Sequence, residues 1–508
     1  MIEQYPLMAN AATSTLDNIW EKRCAASPDH VFLIEKNKKI TYAQLDCQCI
    51  RIINLFQQHN IEKKELVVVQ LPINVLNVEI LISCFKLNIV AIPLSMHVDK
   101  QEFERVLELM QPKLVILSNK QLNYVLNKKN TKYEAISSLD ASVSCFRLKE
   151  QHNPAKLPAD IAAILLTSGT TGSPKGVMLS HRNILYSEIY FSKEYHITNK
   201  DILLLALPLN HAIGFHHGIV TTILTGSTCV LFDEYCPQDC FDIINKHHCT
   251  YMLAVPTIVY DLFSTIPAKH YLKKIICGGS PIPWQLQKEA IIKQVPVYNV
   301  FGATECVPFA CTDPKYYQQK NWLTDATFPI PGVDIQIINS NGKEIKDTYQ
   351  SGEIIVKGPV VFQGYFRDVK ATEVALDKQN WFHTGDLGHY NSDFALKVDG
   401  RISDIILRGG EKIASQKIEK QVMANQKVQQ AAAVGIADKR LGERIGICIV
   451  LKDRNQVITL KELIDFLKKQ HVLKKYWPEQ LFIYQSFPTT DSGKVKKTIM
   501  KQQINSSK

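Results

Sequence analysis

The sequence lacks the features that direct a chain into or across a membrane. Its first residues, MIEQYPLMANAATST, contain no basic stretch followed by an apolar core, so we expect no signal peptide. Lysine or histidine interrupts every long apolar segment, so we also expect no membrane-spanning helix.

A concentrated basic arm is missing as well. The formal net charge is +10, from 59 Lys and Arg against 49 Asp and Glu, and it is spread along the 508 residues in lysine pairs. Spread positive charge suits small anionic partners, whereas nucleic-acid binding normally uses clustered charge. We therefore expect no nucleic-acid partner.

The cysteine pattern is not that of a disulfide-bonded secreted protein. The thirteen cysteines are scattered, and Cys229, Cys277 and Cys448 fall in apparent core strands. Because an odd number cannot all pair within one chain, we expect reduced thiols and a cytoplasmic location. A further group of four possible metal ligands has no standard zinc spacing, so structural roles are favoured for them. These four are Cys236, Cys240, His247 and Cys249.

What the sequence does contain, from about residue 30 to 330, is an alternation of apolar strands and amphipathic helices. Such alternation indicates parallel sheets covered by helices. The pattern comes in two blocks joined by the polar stretch 151–160, which predicts two doubly wound α/β subdomains. The predicted strands cover 66–71, 89–94, 113–118, 161–168, 202–207, 228–232, 250–256, 273–279 and 296–302, and one clear helix covers 75–87.

The pattern changes after residue 330. Short strands and turns between about 330 and 398 predict a small β subdomain. Beyond residue 401, helices near 415–425 and 460–470 alternate with strands at 431–436, 445–451 and 481–487, which predicts a small α+β unit. We therefore expect a large domain over 1–401 and a small domain over 402–508.

The most informative stretch is ILLTSGTTGSPKGVMLSH at 164–181. An apolar strand leads into a loop of glycines, hydroxyl side chains and one lysine. Glycines let the backbone bend so that its N–H groups face an anion, and Lys175 adds a full positive charge, so the loop is typical of phosphate binding. The Walker pattern does not fit, because no Gly-Lys-Ser/Thr closes the loop before a helix. The glycines given this bending role are Gly169, Gly172 and Gly176.

The loop at 167–176, TSGTTGSPKG, resembles the signature of the adenylate-forming superfamily of acyl-CoA synthetases, peptide-synthetase adenylation domains and luciferases. Further motifs follow in family order: PLNH at 208–211, GGSP at 278–281, FGATE at 301–305, GEIIVKG at 352–358, WFHTGDLG at 381–388, GR at 400–401 and SGK at 492–494. The resemblance spans residues 160 to 500. It implies an enzyme that adenylates a carboxylic acid with ATP and Mg²⁺ and then transfers the acyl group to a thiol.

The resemblance also implies roles for single residues around ATP. Glu305 resembles the Mg²⁺ ligand, Thr304 a partner of the α-phosphate, and Asp386 and Arg401 the residues that reach the ribose. Phe301 stands where a tyrosine is common; its ring can still stack on adenine, but the hydroxyl is lost. The remaining nucleotide-binding residues implied are Thr167, Ser168, Gly169, Thr170, Thr171, Gly172, Lys175, Gly279 and Gly302.

In this family a mobile C-terminal domain rotates between the two reaction steps. Lys494 resembles the lysine that bridges carboxylate and α-phosphate during adenylation, and Gly409 and Gly410 resemble the lining of the thiol channel. Ser403 aligns with the hinge, where Asp or Lys is common. This departure, with Ser415 and Lys417 where Pro and Glu are frequent, bears on the thiol step and not on adenylation. Lys412 or Arg408 could supply charge for the 3′-phosphate of coenzyme A.

The residues after the PLNH motif indicate the class of acid. Amino-acid-activating relatives hold an Asp next to the position of His211, but this chain has Ala212, so a substrate ammonium would lack a partner. His211 resembles the gate of an acyl pocket that would also use Phe215, Val300 and Gly302. A fatty acid is favoured over an aromatic one.

Two kinds of thiol acceptor fit the resemblance. Coenzyme A is favoured, because no carrier domain is fused within the 508 residues, and the phosphopantetheine arm of a separate acyl carrier protein is the alternative. A luciferase-like oxygenase is a further alternative that no residue requires. A non-catalytic adenylate-binding protein is a fourth, although such a protein would be expected to have lost Lys494, Glu305 or the 167–176 loop.

Overall fold

The structure is a computed structural model that describes residues 14–122, 132–149, 157–168, 174–233, 235–453, 455–489 and 495–506. The chain divides into two compact units. The first comprises the described residues of Met1–Asp334 and Val356–Phe382, and the second comprises Ile335–Ile355 and the described residues of His383–Lys508.

The first unit contains the helices α1–α11 and the strands β1–β16. The helices are α1 Leu16–Ala26, α2 Tyr42–Gln58, α3 Val75–Leu87, α4 Lys100–Met110, α5 His181–Glu194, α6 Thr221–Thr225, α7 Pro237–His247, α8 Pro256–Thr265, α9 Trp284–Lys293, α10 Pro314–Gln319 and α11 Val369–Ala375, and a π-helix, Ile213–Val220, precedes α6. The strands are β1 Val31–Glu35, β2 Lys38–Thr41, β3 Leu66–Gln70, β4 Val90–Pro93, β5 Leu114–Ser118, β6 Tyr133–Asp140, β7 Val143–Leu148, β8 Ile161–Ser168, β9 Pro174–Ser180, β10 Ile202–Leu205, β11 Thr228–Leu231, β12 Tyr251–Ala254, β13 Lys274–Gly278, β14 Val297–Phe301, β15 Ala310–Cys311 and β16 Phe328–Pro329.

Two α/β sheets organise the first unit, as the alternation of strands and helices predicts. One has seven strands in the order β6-β7-β5-β3-β4-β8-β9, and the other has nine in the order β16-β15-β14-β13-β12-β10-β11-β1-β2. The central strands of each sheet pair in parallel, and antiparallel strands complete the edges. The central strands are buried on both faces, which explains their continuous apolar sequences.

The two sheets do not separate the chain at residues 151–160, where the sequence predicts a junction. β1 pairs in parallel with β11 and so joins the nine-stranded sheet, whereas β8 and β9 complete the seven-stranded sheet. The reason is that β1 carries Phe32, Leu33 and Ile34, all buried, and an apolar strand of this kind fits the middle of either sheet. The position of β1 along the chain therefore does not determine which of the two sheets it joins.

Local signals set the helix ends near the predicted site. The side chain of Asn74 caps α3 by accepting from the Asn77 N–H. A capping box of Ser180 and Asn183 begins α5 directly after β9. The strand from the signature loop is therefore joined to its helix by two reciprocal hydrogen bonds.

The strands β17–β25 and the helices α12–α14 lie wholly or mostly in the second unit. The strands are β17 Asp334–Ile338, β18 Gly352–Lys357, β19 Phe382–Tyr390, β20 Leu396–Arg401, β21 Ile405–Arg408, β22 Glu411–Ala414, β23 Val428–Asp438, β24 Gly442–Leu451 and β25 Gln480–Tyr484, and the helices are α12 Ser415–Met423, α13 Leu460–Lys469 and α14 Lys497–Ser506. One sheet has the order β17-β18-β19-β20. The other has the order β22-β21-β24-β23, with β25 pairing in parallel on β24. The small β subdomain and the α+β unit expected from the sequence are both present, whereas the boundary at residue 402 stays a prediction.

All thirteen cysteines are free thiols. Ten are buried, Cys24 and Cys236 are partly buried, and Cys47 is exposed. Among the residues that the structure describes, no group of three or more His, Cys, Asp or Glu side chains is arranged to hold a metal ion. In the same residues, no helix combines the length and apolar character needed to cross a membrane.

Candidate active site

The hairpin of β8 and β9 presents the signature loop. In its antiparallel register Thr167 lies opposite Lys175 and Ser168 opposite Pro174. The loop between them includes four of the predicted nucleotide-binding residues, and these lie outside the described residues: Gly169, Thr170, Thr171 and Gly172. The hairpin therefore fixes the two ends of the loop and the position of Lys175.

Gly176 does not have the bending role that the sequence suggests. It lies inside β9 opposite Leu166. A Cβ added there would lie 2.5 Å from Met110 Cε and 2.9 Å from Ile164 Cγ2. Glycine at this position allows close packing of the strand.

A tyrosine joins Lys175 to Glu305. The Tyr365 hydroxyl donates a 2.9 Å hydrogen bond to Glu305 Oε1, and the Lys175 ammonium lies 4.8 Å from the centroid of the Tyr365 ring. Burial, and after it the negative charge of Glu305, raises the pKa of the Tyr365 hydroxyl well above its usual value. The hydroxyl is therefore a neutral donor over the physiological pH range.

Thr304 and Glu305 are presented by the end of β14. The strand ends at Phe301, whose ring packs edge-on against Phe309 with centroids 4.7 Å apart. The backbone then turns through Gly302, where a Cβ would lie 2.9 Å from Pro308 Cα, into a short 3₁₀-helix, Thr304–Cys306. The Glu305 carbonyl accepts a 2.8 Å hydrogen bond from the Phe362 N–H. This places Glu305 beside the segment that carries Tyr365.

An apolar surface lies at the ends of β13 and β14, which pair in parallel. A Cβ on Gly278 would lie 2.9 Å from Val300 Cγ2 and 3.4 Å from Ile213 Cδ1, so these two side chains converge on the glycine backbone. Gly279 follows with a φ of +89°, a conformation that favours glycine. The predicted pocket residue Val300 and the predicted nucleotide residue Gly279 therefore share one edge of the sheet.

Two further predicted pocket residues lie around the start of the π-helix Ile213–Val220: His211 precedes it and Phe215 lies within it. His211, Ala212 and Ile213 are half-buried, and the His211 carbonyl accepts from the Phe215 N–H at 2.9 Å. Phe215 is fully buried, with its ring centroid 6.0 Å from that of Phe85 on α3. Phe215 therefore belongs to the packing behind this segment.

A buried polar network follows in the same π-helix. The Glu188 carboxylate of α5 accepts from the Thr221 hydroxyl at 2.7 Å and lies 2.9 Å from His217 Nδ1. His216 is also fully buried, and burial lowers its pKa well below the usual value. These contacts fix the π-helix to α5.

In the second unit, Asp386 and Arg401 face each other across β19 and β20. They are register partners, and Arg401 Nε lies 3.2 Å from Asp386 Oδ1. The Asp386 side chain is 10% exposed and that of Arg401 is 59% exposed. The structure thus brings together the two residues that the resemblance relates to the ribose.

The predicted thiol-channel residues form a turn in the same unit. Gly409 and Gly410, with φ of +58° and +85°, join β21 to β22 and are exposed. Beside them Arg408 makes two hydrogen bonds to the Glu479 carboxylate, at 2.9 and 3.2 Å, while Lys412 is exposed. Arg408 is therefore already paired, which leaves Lys412 as the better of the two candidates for a phosphate contact.

The predicted catalytic lysine, Lys494, lies outside the described residues, but the chain on both sides of residues 490–494 is fixed. Thr489 and Val495 form an antiparallel bridge, and the Lys496 N–H donates to the Pro488 carbonyl at 2.8 Å. Both ends of this segment are therefore held together.

An ion-pair cluster then holds the start of α14. Lys497 Nζ lies 2.7 Å from Glu419 Oε1 on α12 and 3.4 Å from Asp404 Oδ2. Asp404 ends the short 3₁₀-helix Ile402–Asp404, which also contains the exposed Ser403 predicted as the hinge. The cluster therefore ties the residues after Lys494 to the residues around position 403.

The acidic group of the site fits a magnesium ion. Mg²⁺ takes oxygen ligands and is commonly held by one or two carboxylates together with substrate phosphates. Glu305 is a half-buried carboxylate with one oxygen already oriented by Tyr365. The Glu305 carboxylate therefore has the chemistry that a magnesium ion requires.

Sequence reasoning missed Tyr365 and Lys497. Tyr365 follows the 352–358 motif, and nothing in that stretch shows that its backbone bridges to Val177 of β9. Lys497 lies in a lysine-rich tail, where its two carboxylate partners, distant along the chain, could not be recognised.

Known protein families and structures match nearly the whole chain. The AMP-binding enzyme family matches residues 20–366, and the AMP-binding enzyme C-terminal domain matches residues 417–494. The medium-chain fatty-acid–CoA ligase of Escherichia coli (strain K12) is 30% identical over 514 residues, covering 97% of this chain and 90% of that protein.

Two solved structures have the same fold. The o-succinylbenzoate coenzyme A synthetase of Bacillus subtilis, in complex with ATP and magnesium ion, superposes with a TM-score of 0.81 at 26% identity, over 95% of this chain and 99% of that one. ATP-bound MatB from Rhodopseudomonas palustris has a TM-score of 0.85 at 22% identity, over 96% and 99% of the two chains.

Proposed function

Since the chain belongs to the AMP-binding enzyme family, as its motifs predict, and is an acid–thiol ligase of the acyl- and aryl-CoA ligase group, we propose that it activates a fatty acid. In the first step the acid and ATP form acyl-AMP and pyrophosphate. In the second step the thiol sulfur of coenzyme A attacks the acyl carbon, the bond from that carbon to the phosphate oxygen breaks, and AMP leaves while the thiol proton passes to solvent. Neither step needs a protein nucleophile, because the substrate carboxylate attacks the α-phosphorus in the first and the thiol attacks the acyl carbon in the second.

The observation that carries this proposal is the contact of Tyr365 with both Lys175 and Glu305. A bound Mg²⁺ would neutralise phosphate charge, and a fixed lysine adds a positive charge near the phosphates. Glu305 is the residue proposed to hold the ion, and Lys175 with Thr170 and Thr171 are proposed to bind the β- and γ-phosphates. Thr304 is proposed to contact the α-phosphate.

The second unit supplies the remaining proposed roles. Asp386, supported by the nearby Arg401 guanidinium, is proposed to accept hydrogen bonds from the ribose hydroxyls. Lys494 is proposed to contact the carboxylate and α-phosphate oxygens in the first step, and Gly409 and Gly410 to line the thiol path in the second. We propose a domain boundary near residue 402, with Ser403 as the hinge between the two states.

The proposed acyl pocket has no aspartate at the sequence position directly after His211. Ala212 follows His211, and Ile213 and Val300 converge on Gly278 nearby, so a substrate ammonium would be desolvated without a partner, at a cost of several kcal/mol. A fatty acid avoids this cost. The name of the Escherichia coli relative supports a fatty acid, and that of the Bacillus subtilis relative keeps an aryl acid as the second candidate.

The proposed substrates can be tested by measuring pyrophosphate release from ATP with a panel of acids. The panel contains octanoate, decanoate, palmitate, benzoate, 2-succinylbenzoate and phenylalanine, each with and without coenzyme A. We expect release with the fatty acids that rises when coenzyme A is added. Greater release with 2-succinylbenzoate or benzoate would replace the fatty-acid proposal, and release without any response to coenzyme A would point to a carrier protein.

The proposed two-step division can be tested with half-reactions. Lys494→Ala is expected to abolish acyl-adenylate formation and to leave thioester formation from supplied acyl-AMP largely intact. Lys496→Ala, at an exposed lysine two residues away, is the matched control. Equal loss of both half-reactions in Lys494→Ala would contradict the role.

Gly410→Leu is expected to have the opposite effect, because a side chain there would enter the proposed thiol path. Its φ of +85° also makes any side chain strained, so a control with the same strain is needed. Gly342→Leu is that control, since Gly342 has a φ of +74° and open space around its Cβ position. Similar half-reaction rates in the two variants would refute the channel assignment.

A further inference from the structure

Tyr365 occupies a position between two side chains of opposite charge. In the described part of the chain, the Lys175 ammonium and the Glu305 carboxylate form no ion pair with each other, although both contact Tyr365. The Lys175 ammonium lies over the face of the Tyr365 ring, and the Tyr365 hydroxyl donates to the Glu305 carboxylate. One side chain thus satisfies two opposite charges through different chemistry.

Backbone hydrogen bonds hold the segment around Tyr365 in place. The Phe366 N–H donates to the Gly176 carbonyl at 2.7 Å, and the Met178 N–H donates to the Gly364 carbonyl at 3.1 Å. The Tyr365 N–H donates to the Thr372 hydroxyl at 2.9 Å. Tyr365 is only 8% exposed, so its ring has little freedom to move away.

We infer that Tyr365 is a positioning residue, which orients the Glu305 carboxylate for Mg²⁺ and keeps the Lys175 ammonium available for the phosphates. This inference rests on the proposed roles of Glu305 and Lys175. A partner that donates to a metal-binding carboxylate fixes its orientation, and the loss of such a partner typically weakens metal affinity by 10–100-fold, roughly, in known sites. A cation–π contact positions the Lys175 ammonium without an ion pair to Glu305, so the Glu305 carboxylate stays available for the metal.

The test measures ATP binding without turnover. Isothermal titration of the full chain with ATP, in the absence of any acid, gives one dissociation constant with Mg²⁺ and another in EDTA. Their ratio is the metal-linked gain in affinity. Because no reaction occurs, this gain reports on the metal and phosphate contacts alone.

Two variants separate the hydroxyl from the ring. Tyr365→Phe removes the hydrogen bond and keeps the ring, so we expect the metal-linked gain to fall roughly tenfold while binding in EDTA is unchanged. Tyr365→Leu also removes the ring, so we expect binding in EDTA to weaken roughly threefold as well. If the variants weaken ATP binding in EDTA but keep the wild-type metal-linked gain, the inference is overturned.

Three further variants make the result specific. Tyr186→Phe is the matched control, since it removes a hydroxyl that donates to the Pro331 carbonyl at 3.1 Å, and it is expected to leave both constants unchanged. Thr372→Val removes the hydroxyl that accepts from the Tyr365 N–H and leaves the Tyr365 side chain unchanged, so it is expected to reduce the metal-linked gain in part. It provides the same test if thermal unfolding shows that Tyr365→Phe does not fold.

Glu305→Gln distinguishes failure of the inference from failure of the proposed function. If this variant keeps the wild-type gain, the proposed metal role of Glu305 is wrong, and the role of Tyr365 falls with it. If Glu305→Gln loses the gain but Tyr365→Phe and Thr372→Val keep it, Glu305 acts alone and the inference about Tyr365 is wrong.

Discussion

Acidification below pH 6.5 is expected to destabilise the first unit through His181. This residue begins α5, is 5% exposed, and its Nδ1 accepts a 3.1 Å hydrogen bond from the Leu16 N–H. Burial, and after it the positive charge of Lys64, lowers the pKa of His181 from 6.5 to about 4, although Asp17 and Asp160 act in the opposite direction. A protonated ring could not accept the Leu16 hydrogen bond, so protonation opposes folding.

The sign and size of the effect follow from linkage. A histidine with a lowered folded-state pKa contributes stability that is present above pH 6.5 and is lost as the pH falls through the folded-state pKa of about 4. The full difference is roughly 3 kcal/mol, and about 2 kcal/mol of it is lost by pH 5. Other titratable groups also change the unfolding free energy with pH, but their contribution cancels when the wild type is compared with a variant that lacks only the His181 titration.

His181→Gln is that variant, because an amide oxygen can accept the Leu16 N–H but does not titrate. Urea unfolding at pH 7.5 and pH 5, followed by intrinsic fluorescence, gives the change in unfolding free energy for each protein. We expect the wild type to lose about 2 kcal/mol more than His181→Gln over this range. His216, which stays buried and neutral in both, cancels in the comparison. An equal loss in the two proteins would refute the reasoning.

Two other predictions concern the second unit. Lys497→Met leaves the Glu419 and Asp404 carboxylates uncompensated, so it is expected to lower the unfolding free energy by about 2 kcal/mol and to slow adenylation. Lys501→Met, at a more exposed lysine of the same helix, is the control and is expected to lower the unfolding free energy by less than about 1 kcal/mol. Denaturant unfolding and half-reaction rates measure both variants, and equal effects would contradict the anchoring role of Lys497. Asp386→Asn is expected to raise the KM for ATP roughly tenfold and to abolish the wild-type preference for ATP over 2′-deoxy-ATP, and a preserved preference would refute the ribose contact.

The sequence predicts individual elements well wherever the pattern is local. The helix expected over 75–87 is α3, Val75–Leu87, and the strand expected over 113–118 is β5, Leu114–Ser118. In both elements the apolar residues that become buried are consecutive or regularly spaced in the sequence, so the local hydrophobic pattern is enough to predict the helix or the strand. The two-sheet α/β architecture was predictable for the same reason.

Contacts between distant segments were less predictable. The sheet of β1 depends on which apolar strand it meets, and the position of Gly176 depends on Met110 and Ile164, so the glycine was given a bending role that it does not have. The site shows the same limit. Motifs identified Lys175 and Glu305, but the tyrosine that contacts both is brought there by backbone pairing with β9, which leaves no pattern in the sequence.

The free cysteines provide a built-in reporter of local opening. Of the ten buried thiols, nine lie in the first unit and one, Cys448, lies in the second. Burial raises the pKa of Cys145 and Cys448 to about 12, so these thiols are both covered and protonated in the folded protein. A thiol-specific reagent will therefore modify the exposed Cys47 at once and each buried cysteine only when its surroundings open. Peptide mass spectrometry of the native chain can thus time the opening of the two units separately.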